Sequence, residues 1–177
     1  MKIASILAGL ALAGAATAVE AEVVSTSETG FTIRSAVVVE EATRAEAFAA
    51  LGRWGEWWSP AHTYSGDNGN LSLAMEAGGC LCEVWDGGQI EHGRVLLMWP
   101  ERGMLRMNAP FGPLQSLPVT AILTYEITEL DGGAVEVVQT LVVGGDASAV
   151  PMAEAVDAVM SEGLSRYERF VETGSAD

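Results

Sequence analysis

The fold follows from VPMAEAVDAVMSEGLSRYERFV, which occupies residues 150–171. Pro151 lies in the first turn of this segment and Gly174 just beyond its end, where helices favour these two residues. Apolar residues recur along it at steps of three and four: Met152, Val156, Val159, Met160, Leu164, Tyr167 and Val171. The pattern predicts a long amphipathic helix, and its apolar stripe has to pack against another layer of the protein.

The chain upstream of this helix predicts that layer. Six segments rich in β-branched and aromatic residues are mostly separated by glycine-containing turns: residues 71–75, 79–85, 90–99, 104–108, 119–128 and 134–143. A first strand is predicted over 31–39. Two short helices follow it, and Thr43 and Glu46 have the spacing of a capping box at the start of the first one. These elements predict an α+β fold in which a curved antiparallel sheet of about seven strands surrounds the long C-terminal helix.

The N-terminus has the three parts of a secretory signal peptide. Met1 and Lys2 supply the positive end, residues 3–15 are apolar, and Ala16-Thr17-Ala18 is a small-x-small cleavage site. We predict a signal peptide over residues 1–18, with cleavage after Ala21 as an alternative; a retained membrane anchor is less favoured. The mature protein is then periplasmic or secreted and has no segment inserted in the membrane. It consists of a flexible segment over 19–30, one domain over 31–173 and a tail over 174–177.

The charge balance argues against a phosphate-rich partner. The chain has 9 basic and 24 acidic residues, a formal net charge of -15, and Lys2 is its single lysine. Binding to nucleic acid requires several Lys or Arg side chains on one face, whereas the arginines here are scattered among acids. We therefore predict that the protein does not bind nucleic acid.

Four short motifs resemble the START-like (SRPBCC) superfamily. They are WWSPAHTYSGD (57–67), GGCLCE (78–83), EHGRV (91–95) and FGPLQ (111–115), and the resemblance spans residues 31–172. Within that superfamily, which includes polyketide cyclase-like proteins, the chain is similar to the branch of activators of the ninety-kilodalton heat-shock protein ATPase. The resemblance implies a helix-grip fold with a deep cavity, which different members use for hydrophobic ligands, cyclase or hydrolase chemistry, or partner binding.

The alternation of side chains along a strand sorts residues 80–85 into two faces. Leu81, Glu83 and Trp85 share one face, and Cys80, Cys82 and Val84 share the other. In the family pattern the apolar residue at the place of Leu81 points inward, which would direct Glu83 into the cavity. Burial there would raise the pKa of Glu83 towards values useful for acid-base chemistry. The alternative is that Glu83 pairs with an arginine or caps a neighbouring loop.

His62, Tyr64 and His92 are the other candidates for proton transfer, because imidazole suits general base chemistry near pH 7. Structural roles are the alternative for both histidines. We take Glu83, His62 and His92 as the candidate catalytic residues. The predicted ligand-binding residues are Trp58, His62, Tyr64, Leu81, Glu83, Trp85, Met160 and Leu164.

The two cysteines are an open question in an exported protein, where a disulfide is the first expectation. Cys80 and Cys82 lie two residues apart in a predicted strand, so their Cα atoms should be about 6.6 Å apart, at the upper limit for a disulfide. The spacing therefore argues against a bond unless a bulge shortens the strand. It also does not match a zinc site, and we predict neither a metal nor a cofactor.

The leading functional hypothesis is a binding protein for a small hydrophobic or amphipathic molecule, as a monomer or homodimer. One alternative is a cyclase-, isomerase- or hydrolase-like enzyme that uses the same cavity. Another is a protein-interaction module, which would have an exposed apolar patch around Cys80, Cys82 and Val84.

Overall fold

The computed structural model describes residues 20–177, so the predicted signal peptide lies outside the described residues. Within them, two short helices follow the second of eight strands, and a long helix follows the last strand. The strands are β1 Glu20–Ser27, β2 Gly30–Val39, β3 Leu71–Leu73, β4 Cys80–Trp85, β5 Gly88–Trp99, β6 Met104–Asn108, β7 Thr120–Glu129 and β8 Val135–Gly144. The helices are α1 Arg44–Leu51, α2 Trp54–Trp57 and α3 Ala153–Thr173.

The strands form one antiparallel sheet in the order β1-β2-β8-β7-β6-β5-β4-β3. Helices α1 and α2 connect β2 to β3, and α3 follows β8. The predicted α+β helix-grip fold is therefore confirmed, with a large antiparallel sheet and a long C-terminal helix. Each of the seven predicted strands is present with small shifts at its ends.

The eighth strand, β1, lies in the segment predicted to be flexible, and that prediction is wrong over residues 20–27. β1 forms a hairpin with β2 and pairs from Glu20 opposite Ala36 to Ser27 opposite Gly30. The other edge of β2 pairs with β8, so without β1 the first edge would leave a row of backbone groups unpaired. The stabilisation of β1 comes from pairing its backbone with β2, and its mostly polar side chains do not indicate a strand in the sequence.

Capping residues define the helix ends. Thr43 caps α1 through the predicted capping box with Glu46, and Gly52 follows its last residue. The predicted start of the C-terminal helix at residue 150 is wrong, because a 3-10 segment, Ala147–Met152, precedes α3. Asp146 accepts a hydrogen bond from the Ser148 amide at the start of this segment, and the 3-10 geometry continues through Pro151.

Helix α3 packs on the inner face of the sheet through its apolar stripe. Met160, Leu164 and Tyr167 of the stripe are buried. A buried polar connection joins the two layers, because the Tyr125 hydroxyl donates to Gln139 Oε1 (2.8 Å) and Gln139 Nε2 donates to the Met160 carbonyl (3.2 Å). Over residues 20–177, no helix combines the length and apolar composition needed to cross a membrane.

Candidate functional site

A cavity of about 570 Å³ lies between the N-terminal half of α3 and the β3–β5 end of the sheet. Its walls come from the segment after α2, from the inner face of β3, β4 and β5, from residues 111–113 and from α3. The lining is mostly apolar: Trp54, Trp58, His62, Thr63, Tyr64, Leu71, Leu81, His92, Phe111, Gly112, Pro113, Met152, Ala155, Val156, Val159 and Met160. The fold therefore leaves open one end of the helix–sheet interface.

Three aromatic rings form one wall of this cavity. Phe111 lies 6.0 Å from Trp58 and 6.3 Å from Trp54 between ring centroids, with interplanar angles of 25° and 28°. Gly163 of α3 makes room for the Trp58 ring, since a Cβ atom there would lie 2.3 Å from Trp58 Cζ3. Trp54 and Trp58 are almost fully buried and Phe111 is half-buried, so this wall is apolar and tightly packed.

Glu83 lies beneath the cavity wall, with a residue exposure of 0%. Its carboxylate accepts hydrogen bonds from the amides of Tyr64 (3.0 Å) and Ser65 (2.5 Å), and it pairs with His92 Nε2 at 2.8 Å. Burial acts to raise the pKa of Glu83, but the hydrogen bonds from Ser65, Tyr64 and His92 outweigh it and lower the pKa. The expected raised pKa is therefore wrong, and Glu83 caps the neighbouring loop, as in the alternative interpretation.

A bulge in β5 brings His92 to this carboxylate. Leu81 pairs with Gly93 and Cys82 pairs with Glu91, so His92 is the extra residue on β5. Consequently His92 and Gly93 are consecutive buried residues, and His92 lines the cavity. The strand prediction missed this bulge. Glycine inside a strand is a sequence signal for a bulge or a close approach, and a Cβ atom at Gly93 would indeed lie 2.8 Å from Ala109 Cβ.

His62 lies at the rim and pairs with a different carboxylate. Its Nε2 atom is 3.0 Å from Glu162 Oε2 of α3, and its carbonyl accepts a hydrogen bond from Trp58 Nε1. Hydrogen bonding from Ser59 and His62 lowers the pKa of Glu162 against the opposing effect of burial. The structure thus brings Glu83 and His92 together and separates His62 from them.

Five of the predicted ligand-binding residues line the cavity: Trp58, His62, Tyr64, Leu81 and Met160. Three do not. Glu83 lies behind the wall, Leu164 is part of the solid core, and Trp85 is half-buried near the end of β4. The prediction did not include four further lining residues, Trp54, Phe111, Val156 and Val159. Each belongs to a motif or to the apolar stripe visible in the sequence. Which of these residues border the cavity depends on how the elements pack.

Cys80 and Cys82 form a disulfide, so the expectation against a bond is wrong. Their Cα atoms are 5.3 Å apart, which shows that β4 is shorter here than a regular strand. The bond lies on the face of β4 opposite Leu81 and Glu83, next to Val84, whose exposure is 55%. Within residues 20–177, no group of three or more His, Cys, Asp or Glu side chains is arranged to hold a metal ion.

Several solved structures share the fold at low sequence identity. The conserved protein EF2215 of Enterococcus faecalis, of unknown function, is 12% identical, and the match covers 85% of this chain and 77% of that chain with a TM-score of 0.61. CalU16 of Micromonospora echinospora is 13% identical, and the match covers 89% of this chain and 81% of that chain with a TM-score of 0.51. Ara h 8.0201 is 14% identical, and the match covers 79% of this chain and 96% of that chain with a TM-score of 0.51. These neighbours share the fold of this chain. No family model and no curated protein matches the sequence.

Proposed function

We propose that the protein binds a small hydrophobic or amphipathic molecule in the cavity beneath α3. The observation that carries this proposal is an apolar space of about 570 Å³, within the size range of ligand sites. Burial of apolar ligand surface there contributes about 25 cal/mol per Å² before the costs of binding. A ligand bound at this site would contact the inner face of β3, β4 and β5, where α3 does not pack directly against the sheet.

The polar groups of the cavity suit an uncharged ligand with one hydrogen-bonding end. Among the described residues that line it, none is Asp, Glu, Lys or Arg. His92 presents its imidazole in the wall while Glu83 holds it from behind, and Thr63 lies at the rim. A ligand carboxylate would find no Lys or Arg side chain here, whereas a ligand hydroxyl can donate to His92 Nδ1, the acceptor that remains when Nε2 donates to Glu83.

The test is to fill the cavity from α3 and measure the binding of N-phenyl-1-naphthylamine, an uncharged dye that fluoresces in apolar sites. Val156→Phe adds a ring to the cavity wall, whereas Ala158→Phe adds the same ring on the exposed side of the same helix. We expect the first substitution to weaken dye binding about tenfold or more and the second to leave it unchanged. Equal binding by both variants would show that the dye does not occupy this cavity and would contradict the proposal.

Native mass spectrometry of the protein purified from its own host supplies an independent measurement. We expect a bound organic molecule that Val156→Phe excludes and Ala158→Phe retains. A mass equal to that of the polypeptide alone in every preparation would count against the proposal.

We also propose that the protein acts outside the cytoplasm. The three-part signal sequence over residues 1–18 supports export, and so does the Cys80–Cys82 disulfide, since such bonds persist in oxidising compartments. Expression of the full chain should give a periplasmic or secreted product that has lost residues 1–18 or 1–21, as measured by intact mass. Retention of the full-length chain in the cytoplasm would contradict export.

The pairing of His92 with Glu83 in the cavity wall favours a second candidate function, acid-base catalysis on the bound molecule. A carboxylate that orients an imidazole is a common arrangement for proton transfer. Incubating the co-purified molecule with fresh protein should then change its NMR spectrum, which also detects an isomerisation at constant mass, and His92→Gln should abolish the change while the dye still binds. An unchanged spectrum with wild-type protein would leave binding as the function.

A further inference from the structure

The Cys80–Cys82 disulfide lies directly across the strand pair from the β5 bulge. Cys80 is opposite Arg94 and Cys82 is opposite Glu91, so two residue steps of β4 face three residue steps of β5. His92 is the residue without a partner in this register. The covalent bond and the residue that lines the cavity therefore belong to one distortion of the sheet.

The disulfide shortens β4 at the place where β5 has to accommodate its extra residue. The Cα atoms of Cys80 and Cys82 are 5.3 Å apart, whereas two steps of a regular strand span about 6.6 Å. Since the two strands are hydrogen-bonded on both sides of this point, the segment from Glu91 to Arg94 must fit the shortened length. A shorter β4 therefore favours a more pronounced bulge at His92.

The residues around the bond reach the cavity and its support directly. Leu81, between the two cysteines, points to the opposite face of the strand and lines the cavity. Glu83 follows Cys82 and holds His92 and the backbone of Tyr64 and Ser65. A change in the length of β4 thus moves Leu81, the His92 imidazole and residues 59–67, here called the rim loop, together.

We propose that this disulfide is a redox site that controls the cavity from the outer face of the sheet. Reduction by a thiol breaks one S–S bond and forms two cysteine S–H groups, while two reductant thiols become one disulfide, so two electrons and two protons are transferred to the protein. Both cysteines are half-buried on the face opposite the cavity, so a reductant reaches them without displacing a ligand. The oxidised state holds His92 against Glu83, and the reduced state releases β4 towards regular spacing.

The ligand consequence rests on the proposed function, whereas the consequence for His92 does not. In the reduced protein we expect His92 to leave its fixed position beside Glu83 and the affinity for the uncharged dye to fall about tenfold, comparable to losing one buried hydrogen bond. The change in His92 is visible without any ligand.

The experiment compares oxidised protein with protein reduced by excess dithiothreitol, using NMR signals of the imidazole rings. The chain has two histidines, so His62→Gln leaves His92 as the single source of these signals. We expect the His92 signals to shift on reduction and to adopt the same shifted position in the Cys80→Ser/Cys82→Ser variant. Dithiothreitol should change nothing in that double variant, which is the matched control for effects of the reagent.

The outcomes separate the two proposals. Identical His92 signals in oxidised and reduced protein, or a bond that excess dithiothreitol does not open, would overturn the redox site even if the dye binds. Shifted His92 signals together with no dye binding in either state would uphold the coupling of the disulfide to His92 and contradict the ligand-binding function.

Discussion

The protein contains two Glu–His pairs of nearly equal length in opposite environments. Glu83 and His92 are 2.8 Å apart with side-chain exposures of 0% and 6%, while Glu162 and His62 are 3.0 Å apart with exposures of 46% and 30%. In the first pair His92 lines the cavity and Glu83 lies behind it, and the second pair joins the loop that contains His62 to α3. The same two functional groups therefore act at both borders of one cavity.

The two pairs differ in how many hydrogen-bond donors each carboxylate serves and in whether water can replace a lost partner. Glu83 accepts from two backbone amides besides His92, and water does not reach it to replace a lost partner. Glu162 is half-exposed, so solvent can compensate for most of what it loses. We infer that the inner pair fixes the loop and the imidazole, whereas the outer pair contributes little to stability and leaves the rim free to adjust around a ligand.

Removing the inner carboxylate should have the largest effect. We expect Glu83→Ala to lower the free energy of unfolding by about 3 kcal/mol, because it leaves two amides and an imidazole without their buried acceptor. Glu162→Ala should cost below about 1 kcal/mol. Urea denaturation measures both values. If Glu83→Ala does not fold, Glu83→Gln keeps one acceptor oxygen and should give an intermediate loss; equal costs at the two sites would contradict the comparison.

Distorting the rim through Gly163 should have the next largest effect. Alanine in place of glycine inside a helix normally stabilises by up to about 1 kcal/mol. Here its Cβ atom would lie 2.3 Å from Trp58 Cζ3, so we expect Gly163→Ala to destabilise by about 1–2 kcal/mol and to displace the rim loop.

The matched control is Gly144→Ala, where a Cβ atom would have no neighbour within 4 Å. It should change stability by less than about 0.5 kcal/mol. Dye binding should weaken in Gly163→Ala, while the Glu83–His92 pair is retained. A stabilising Gly163→Ala would show that Trp58 is not seated against α3.

The pH dependence of stability should show the smallest difference between the pairs. The pKa of Glu83 is below its ordinary value of 4.5 in the folded protein. Its contribution is therefore fully present above pH 4.5 and is lost as the pH falls through the lowered pKa. We expect Glu83→Gln to flatten the acid decline in unfolding free energy, and Glu162→Gln to flatten it less because Glu162 is half-exposed. Thermal unfolding between pH 7 and pH 3 measures the slopes; a steeper decline in Glu83→Gln would reverse the assignment.

Short stretches of the sequence predicted those elements whose signals are local. The capping box at Thr43 and Glu46, the strands over 31–39 and 71–143 and the apolar stripe of α3 each depend on residues within a few positions of one another. The sequence also indicated that Leu81 and Glu83 share one face of their strand, since alternation is a local property, and the family resemblance implied that this face points inward. These features predicted the α+β fold, and together with the motifs of the family resemblance they pointed to five residues that line the cavity.

Three features of the site depend on contacts between distant parts of the chain: the β5 bulge, the disulfide and the hydrogen bonds of Glu83. The bulge that directs His92 inward depends on the register between β4 and β5, and the Cys80–Cys82 disulfide lies opposite it in the same register. The role of Glu83 depends on a loop that approaches it from 18 and 19 residues away. Such pairings are chosen by the total packing and hydrogen bonding of the folded chain, and no short stretch of sequence contains that information.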